Sequence, residues 1–327
     1  GNGVPVYAQP VQQPVYYAPV QPPKWADPAR LEQKELRRAA SRLSFATMTS
    51  LPIQVLWTTL ATLVLTVCGV NFMGPNTIGG FPPTAYYLIS SIASFLSIVL
   101  PFSFFLFFGK RKLSDTVLVE KNGVLNSVLL VFAGLAVSVL MNIPANLISQ
   151  LLEGAGLNGD ANTADLLAMT PVQALTMFVS VVLVAPVTEE FAFRSVTTAV
   201  MRRWGDWPAV IFSALIFGMA HYSIQSLPVV LMAGFVMALL YVRTRNIWVN
   251  IFVHMLNNLL ATLPIALEGL VGADAANIAS NLLTYIVYGL GLIALVVLLI
   301  RNFTGHKVFR TPMQRGVRYA ERRCGCS

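Results

Sequence analysis

The stretch from Val179 to Val200 reads VSVVLVAPVTEEFAFRSVTTAV, a run apolar enough for a membrane yet broken by adjacent carboxylates, Glu189 and Glu190, and by Arg194. A charge at the centre of a membrane helix costs roughly 2.5–3.5 kcal/mol on insertion scales, so three in one run call for a purpose. If the run is helical, Glu190 and Arg194 form an i,i+4 pair with the carboxylate first, the favourable order for a salt bridge. Glu189 and Glu190 then leave the axis about 100° apart and cannot serve one target equally. With Glu190 neutralised by Arg194, Glu189 is left to face a cavity as a general base.

The rest of the chain supplies the membrane. Of its 327 residues, 56% are hydrophobic and only 11% charged, against roughly 25% charged in soluble proteins. Mean hydropathy is +0.67. The expected fold class is all-α, a polytopic membrane helix bundle. Runs of about 20 apolar residues fall near 49–72, 84–108, 123–152, 171–200, 207–223, 225–242, 246–266 and 280–301, predicting about eight transmembrane helices.

Loop charges set the orientation. Lys and Arg cluster in the N-terminal tail, at Lys110, Arg111, Lys112 and Lys121, at Arg202 and Arg203, at Arg243 and Arg245, and from Arg301 through the C-terminal tail. The alternate loops (73–83, 153–170, 221–226 and 267–279) hold no Lys or Arg and carry Glu153, Asp160, Asp165, Glu268 and Asp274. Of the 22 basic residues only Arg194 breaks the alternation, so the positive-inside rule puts both termini in the cytosol, in a bacterial cell membrane by the character of the tail. The net charge of +8 reads as membrane anchoring, since no basic stripe interleaved with aromatics suggests nucleic acid.

Tyr and Cys aside, the ionisable side chains well inside the spans are Glu189, Glu190, Arg194, His221 and His254. His221 shares a helical face with Phe217, four residues earlier, and His254 shares one with Asn258. Asn257 lies on another face and reads as a helix-packing amide. Two chemistries fit this set, and both are hydrolytic. In the metal-free version Glu189 and His221 polarise a water while His254 and Asn258 hold the oxyanion. In the zinc version Glu189, His221 and His254 bind Zn2+ with one position open, and Glu190 must become the base. Pairing with Arg194 makes Glu190 a poorer proton acceptor, which tilts the balance slightly to the metal-free version.

Residues 1–45 form a Pro/Gln/Tyr-rich cytosolic tail, expected to be disordered and to end in a short basic helix from Glu32 to Arg42. The tail lacks the charged-then-apolar order of a signal peptide and is a candidate docking segment for a cytosolic or membrane partner. Residues 46–303 form the catalytic domain, and 304–327 a basic cytosolic tail whose Cys324 and Cys326 match a prenylation pattern only by chance. Three cysteines give no disulfide framework.

These residues resemble the CPBP family of intramembrane proteases, which contains the CAAX prenyl proteases and bacteriocin-processing proteins (the Abi or type II CAAX endopeptidase family). The Glu-Glu-x-x-x-Arg motif stands at Glu189, Glu190 and Arg194, Phe-x-x-x-His at Phe217 and His221, and His-x-x-x-Asn at His254 and Asn258. The resemblance covers roughly residues 46–303. It implies an endopeptidase with its cavity between spans four, five and seven, in which Glu189 and His221 activate water, His254 and Asn258 hold the oxyanion, and Glu190, Arg194 and Phe217 support them. Zinc stays open in that family. The expected substrate is a small peptide or membrane protein; the rival reading is a non-catalytic family member acting in bacteriocin immunity or in regulating a membrane partner.

Overall fold

The computed structural model describes residues 28–70, 77–78, 80–157, 169–306 and 308–309. The expected disorder of residues 1–27 and the cysteines of the C-terminal tail lie outside them. Among the described residues the chain is helical, with two isolated β-bridges, Ile78 with Phe81 and Val119 with Asn246.

Helix α1 (Pro28–Met48) carries the expected basic segment and runs almost straight into α2 (Ser50–Val67), because Thr49 between them keeps helical dihedrals, φ −70° and ψ −13°. Then come α3 (Pro83–Phe108), α4 (Val124–Gly154), α5 (Pro171–Trp204), α6 (Asp206–Met219), α7 (Leu227–Thr244), α8 (Ile247–Val271) and α9 (Ala273–Phe303). Side chains such as Leu56, Phe107 and Phe303 stand more than 70% exposed. Water would not tolerate that much bare hydrocarbon, whereas lipid solvates it. The protein is a polytopic helical membrane bundle.

Among the described residues seven helical stretches are long and apolar enough to cross a membrane, the first of them α1 and α2 together, and the run expected at 207–223 forms a shorter apolar helix. Helix α6 has 14 residues, about 21 Å, and stops because the chain turns at Ala220–Gln225, where Tyr222 takes φ +51°. It packs antiparallel on α7: Gly234 of α7 lies so close to Ala214 and Phe217 that an added Cβ would stand 2.8 Å from the Phe217 ring. Trp207 stacks on Phe235 near the other end. Pro208 and Pro228 sit in the first turns of α6 and α7, where proline is tolerated. Beyond the first turns, the prolines inside the described helices are Pro101, Pro144, Pro186 and Pro264.

Helix α5 is not uniformly α. It winds with i→i+5 bonds over Phe178–Val184, returns to α over Ala185–Glu189, and loosens again over Glu190–Thr198. Thr197 and Thr198 reinforce the second segment by donating their hydroxyls to the carbonyls five residues back, Ala192 and Phe193. Such π segments are rare and recur at functional sites.

The buried core lies between the ends of α1, α3, α5, α6 and α7, built from Leu43, Phe102, Phe193, Val200, Ile216 and Met237. Helix α8 is clamped at its start. The segment before α4 pairs with it, Ile247 donating its N–H to Leu118 and the Asn246 amide to the Glu120 carbonyl, while Asn246 caps the helix by accepting from Trp248 N–H at 3.0 Å. Tyr241 locks the same segment onto α7 by donating to the Thr116 carbonyl at 2.8 Å.

Helices α4 and α9 meet at Gly291, where a Cβ would fall 2.6 Å from the Phe132 carbonyl oxygen; at Gly289, two residues away, nothing lies within 4 Å. Membrane helices rely on such small residues for close approach. Gly291→Ala is expected to cost about 1–3 kcal/mol through overpacking, while Gly289→Ala gains up to about 1 kcal/mol of helix propensity. Thermal unfolding of the two variants in detergent checks the contrast.

Candidate functional site

Helices α5, α6 and α8 bring the motif residues to one place. At its centre Glu190, completely buried, faces three donors. The Arg194 Nη1 lies 3.1 Å from Oε1, the His254 Nδ1 2.9 Å from the same oxygen, and the Asn250 Nδ2 3.4 Å from Oε2. Arg194 is also fully buried. Its guanidinium does not line up for a hydrogen bond to the carboxylate, so the pair holds by charge. The second support for the cation is the Phe217 ring, whose centroid is 4.1 Å from the guanidinium carbon.

Phe217 is the hub of the site. Beyond Arg194, it makes edge contacts with Phe193 at 5.3 Å, His221 at 4.8 Å and His254 at 6.1 Å between ring centroids. Its ring touches residues of all three motifs, a role that its place four residues before His221 hinted at only in part.

His254 sits between the two carboxylates. Since the Glu190 oxygen accepts, Nδ1 carries the hydrogen and Nε2 points the other way. There Glu189 Oε2 stands 3.8 Å off, beyond hydrogen-bond range. That oxygen is buried and has no hydrogen-bond partner among the described residues, although the Glu189 side chain is 16% exposed. One carboxylate is thus fully engaged and the other poised beside an imidazole nitrogen.

His221 and Asn258 are placed differently from one another. His221 is exposed at the turn after α6, and its Nδ1 lies 2.9 Å from the Phe217 carbonyl oxygen. A carbonyl only accepts, so Nδ1 donates and Nε2 is left as the acceptor. The contact beside Glu189 comes from His254, and the Phe217 ring makes edge contacts with both imidazoles. Asn258, one turn along α8 from His254, donates from Nδ2 to the Val181 carbonyl at 2.9 Å.

The zinc set is not assembled. Among the described residues no three His, Cys, Asp or Glu side chains gather as metal ligands. Glu189 Oε2 and the His254 Nε2 stand 3.8 Å apart and no third ligand joins them among the described residues, while the Nδ1 bonds of His221 to Phe217 and of His254 to Glu190 leave each Nε2 facing away from its partner.

Asn250 is a site residue that the motifs did not supply. It is fully buried, and besides Glu190 it donates to the Met237 carbonyl at 2.6 Å, tying α7 to the centre. Its spacing was readable: Asn250, His254 and Asn258 are i, i+4 and i+8, three polar groups on one face of an apolar helix. A groove of about 650 Å³, lined by residues including Val128, Phe132, Trp248 and Phe252, lies on the other side of α8, between it and α4.

Residues 171–260 match the family model for the type II CAAX prenyl endopeptidase Rce1-like proteins, a segment that holds every motif residue named above. The chain is also 31% identical over 140 residues to the "Putative membrane peptidase YdiL" of Bacillus subtilis (strain 168), an alignment covering 42% of this chain and 57% of that protein. The chain thus spans a little over half the length of the curated relative it matches. No solved structure matches it. The resemblance to the CPBP family is borne out over this segment.

Removing the cation exposes what it does. Arg194→Ala leaves Glu190 buried without its counter-charge, which is expected to cost about 3–5 kcal/mol. Membrane abundance and the melting temperature of the purified variant should both fall, more than in Glu189→Gln.

Proposed function

We propose that the protein is an intramembrane endopeptidase that hydrolyses a peptide bond in a small peptide or membrane-protein substrate with water activated by Glu189. The observation that carries the reading is the division of labour between adjacent carboxylates: Glu190 is engaged by Arg194, His254 and Asn250, while Glu189 Oε2 is shielded, unpartnered and 3.8 Å from the His254 Nε2. The family match and the relative's name support proteolysis at the level of the family.

In this reading Glu189 takes a proton from water as the oxygen attacks the scissile carbonyl, and passes it to the leaving amine when the C–N bond breaks. Negative charge gathers on the carbonyl oxygen in between. Donors fixed in advance lower that barrier, and here they are the His254 ring, once Nε2 also carries a proton, and the second amide hydrogen of Asn258. Glu190 orients His254 through Nδ1, as the buried carboxylate of a hydrolytic triad orients its imidazole. His221, at the exposed end of α6, offers its Nε2 to the water or to the substrate.

The charge alternation supports cytosolic termini, with α6 and α7 as a hairpin whose open end carries Arg203 and Arg245. The substrate and the bilayer are the partners the reading requires. The N-terminal tail is a candidate site for a further cytosolic or membrane partner.

Glu189→Gln keeps the shape of the side chain and removes the base. Peptide termini compared by mass spectrometry, between cells with the wild type and with this variant at matched levels, should show termini that vanish in the variant. Unchanged termini, with the variant still performing the cellular role of the wild type, would overturn catalysis in favour of a binding protein.

A further inference from the structure

In the first π segment of α5, Ala185 donates its N–H to the Ser180 carbonyl, five residues back. The next bond in that register would run from residue 186 to the Val181 carbonyl, and residue 186 is proline, which has no N–H. Ala185 is already used one carbonyl earlier. Val181 is therefore left with an acceptor that its own helix cannot satisfy, inside a membrane span where an unpaired carbonyl is costly. The group that satisfies it is the Asn258 amide, with Nδ2 at 2.9 Å.

The same bond settles the orientation of Asn258. A carbonyl accepts and never donates, so the NH2 end of the amide must face Val181 and the oxygen must face away. The second N–H of that NH2 group is then held in a fixed direction, one helical turn from His254.

We propose that Pro186 is a positioning residue: by vacating the donor to Val181 it creates the acceptor that fixes the amide of Asn258. The link runs from a proline three residues before Glu189, through one backbone carbonyl, to a side chain on another helix. Its structural half stands on the hydrogen bond alone, and its catalytic half rests on the peptidase reading above.

A cycle of Pro186→Ala, Asn258→Ala and the double variant, read both as melting temperature and as turnover, tests the two halves separately. With alanine at 186 an N–H returns to Val181. Asn258→Ala should then lower the melting temperature of the wild type by several degrees and that of Pro186→Ala by much less. An equal drop in both backgrounds would overturn the proposal. Pro186→Ala by itself should melt at or above the wild-type temperature, since proline in a helix interior is otherwise destabilising.

A purely structural proline would leave turnover intact or improve it. Here kcat in Pro186→Ala should fall about 10- to 100-fold, the loss expected of a donor displaced by a fraction of an ångström to an ångström, with KM little changed. Adding Asn258→Ala should cost almost nothing more. Wild-type kcat in Pro186→Ala, or losses that multiply in the double variant, would overturn the catalytic half. Coupled melting temperatures in a protein with no turnover in any form would instead reject the peptidase reading and leave the proline-to-asparagine link in place.

Discussion

A carboxylate and a guanidinium, both sealed from solvent, face each other at 3.1 Å in the middle of the bundle. Neither could be there alone. Stripping water from a single ion costs several kcal/mol even after relaxation, and only a close counter-charge with further polar partners offsets it. Those partners determine much of what surrounds the pair. His254 and Asn250 bring α8 to Glu190, Asn250 brings α7 through the Met237 carbonyl, and the Phe217 ring brings α6 to the face of Arg194. The packing of four helices therefore follows from neutralising one charge.

That arrangement also explains why two neighbouring glutamates act so differently. Glu190 takes the hydrogen bonds of His254 and Asn250 and the charge of Arg194, and the buried Glu189 Oε2 has no hydrogen-bond partner among the described residues. The network that makes Glu190 structural keeps the His254 ring turned so that its other nitrogen faces Glu189. Stability and reactivity thus draw on the two sides of one imidazole.

The membrane class, the positions of seven long helices and the Glu190–Arg194 pairing were legible because each depends on composition or on i,i+4 spacing. Two features were not, for identifiable reasons. Apolar composition continued past Met219, so the run at 207–223 looked like a full span; what ends α6 is the left-handed turn at Tyr222, whose hydroxyl reaches Ser50 at 2.7 Å, a contact 172 residues distant in sequence. The 100° separation of Glu189 and Glu190 assumed uniform α winding. The helix loosens at Glu190, and both carboxylates approach one imidazole, at 2.9 and 3.8 Å. Of the site, the motif residues were visible, and Asn250 could have been found from its spacing. The bond from Asn258 to Val181 could not, because it depends on the helical register around Pro186.

The brevity of α6 has a consequence for the bilayer itself. Its 14 residues give about 21 Å of helix against a hydrocarbon thickness of about 30 Å. A shortfall of that size is met by hydrophobic mismatch: lipids beside the hairpin compress, and headgroups and their hydration dip toward the turn that carries His221. Hydrolysis inside a membrane has to solve a supply problem, since its second reactant is nearly absent from oil. On the peptidase reading, a short helix ending at the turn that carries His221 would draw the aqueous boundary inward to meet Glu189 and His254, without requiring a channel through the protein.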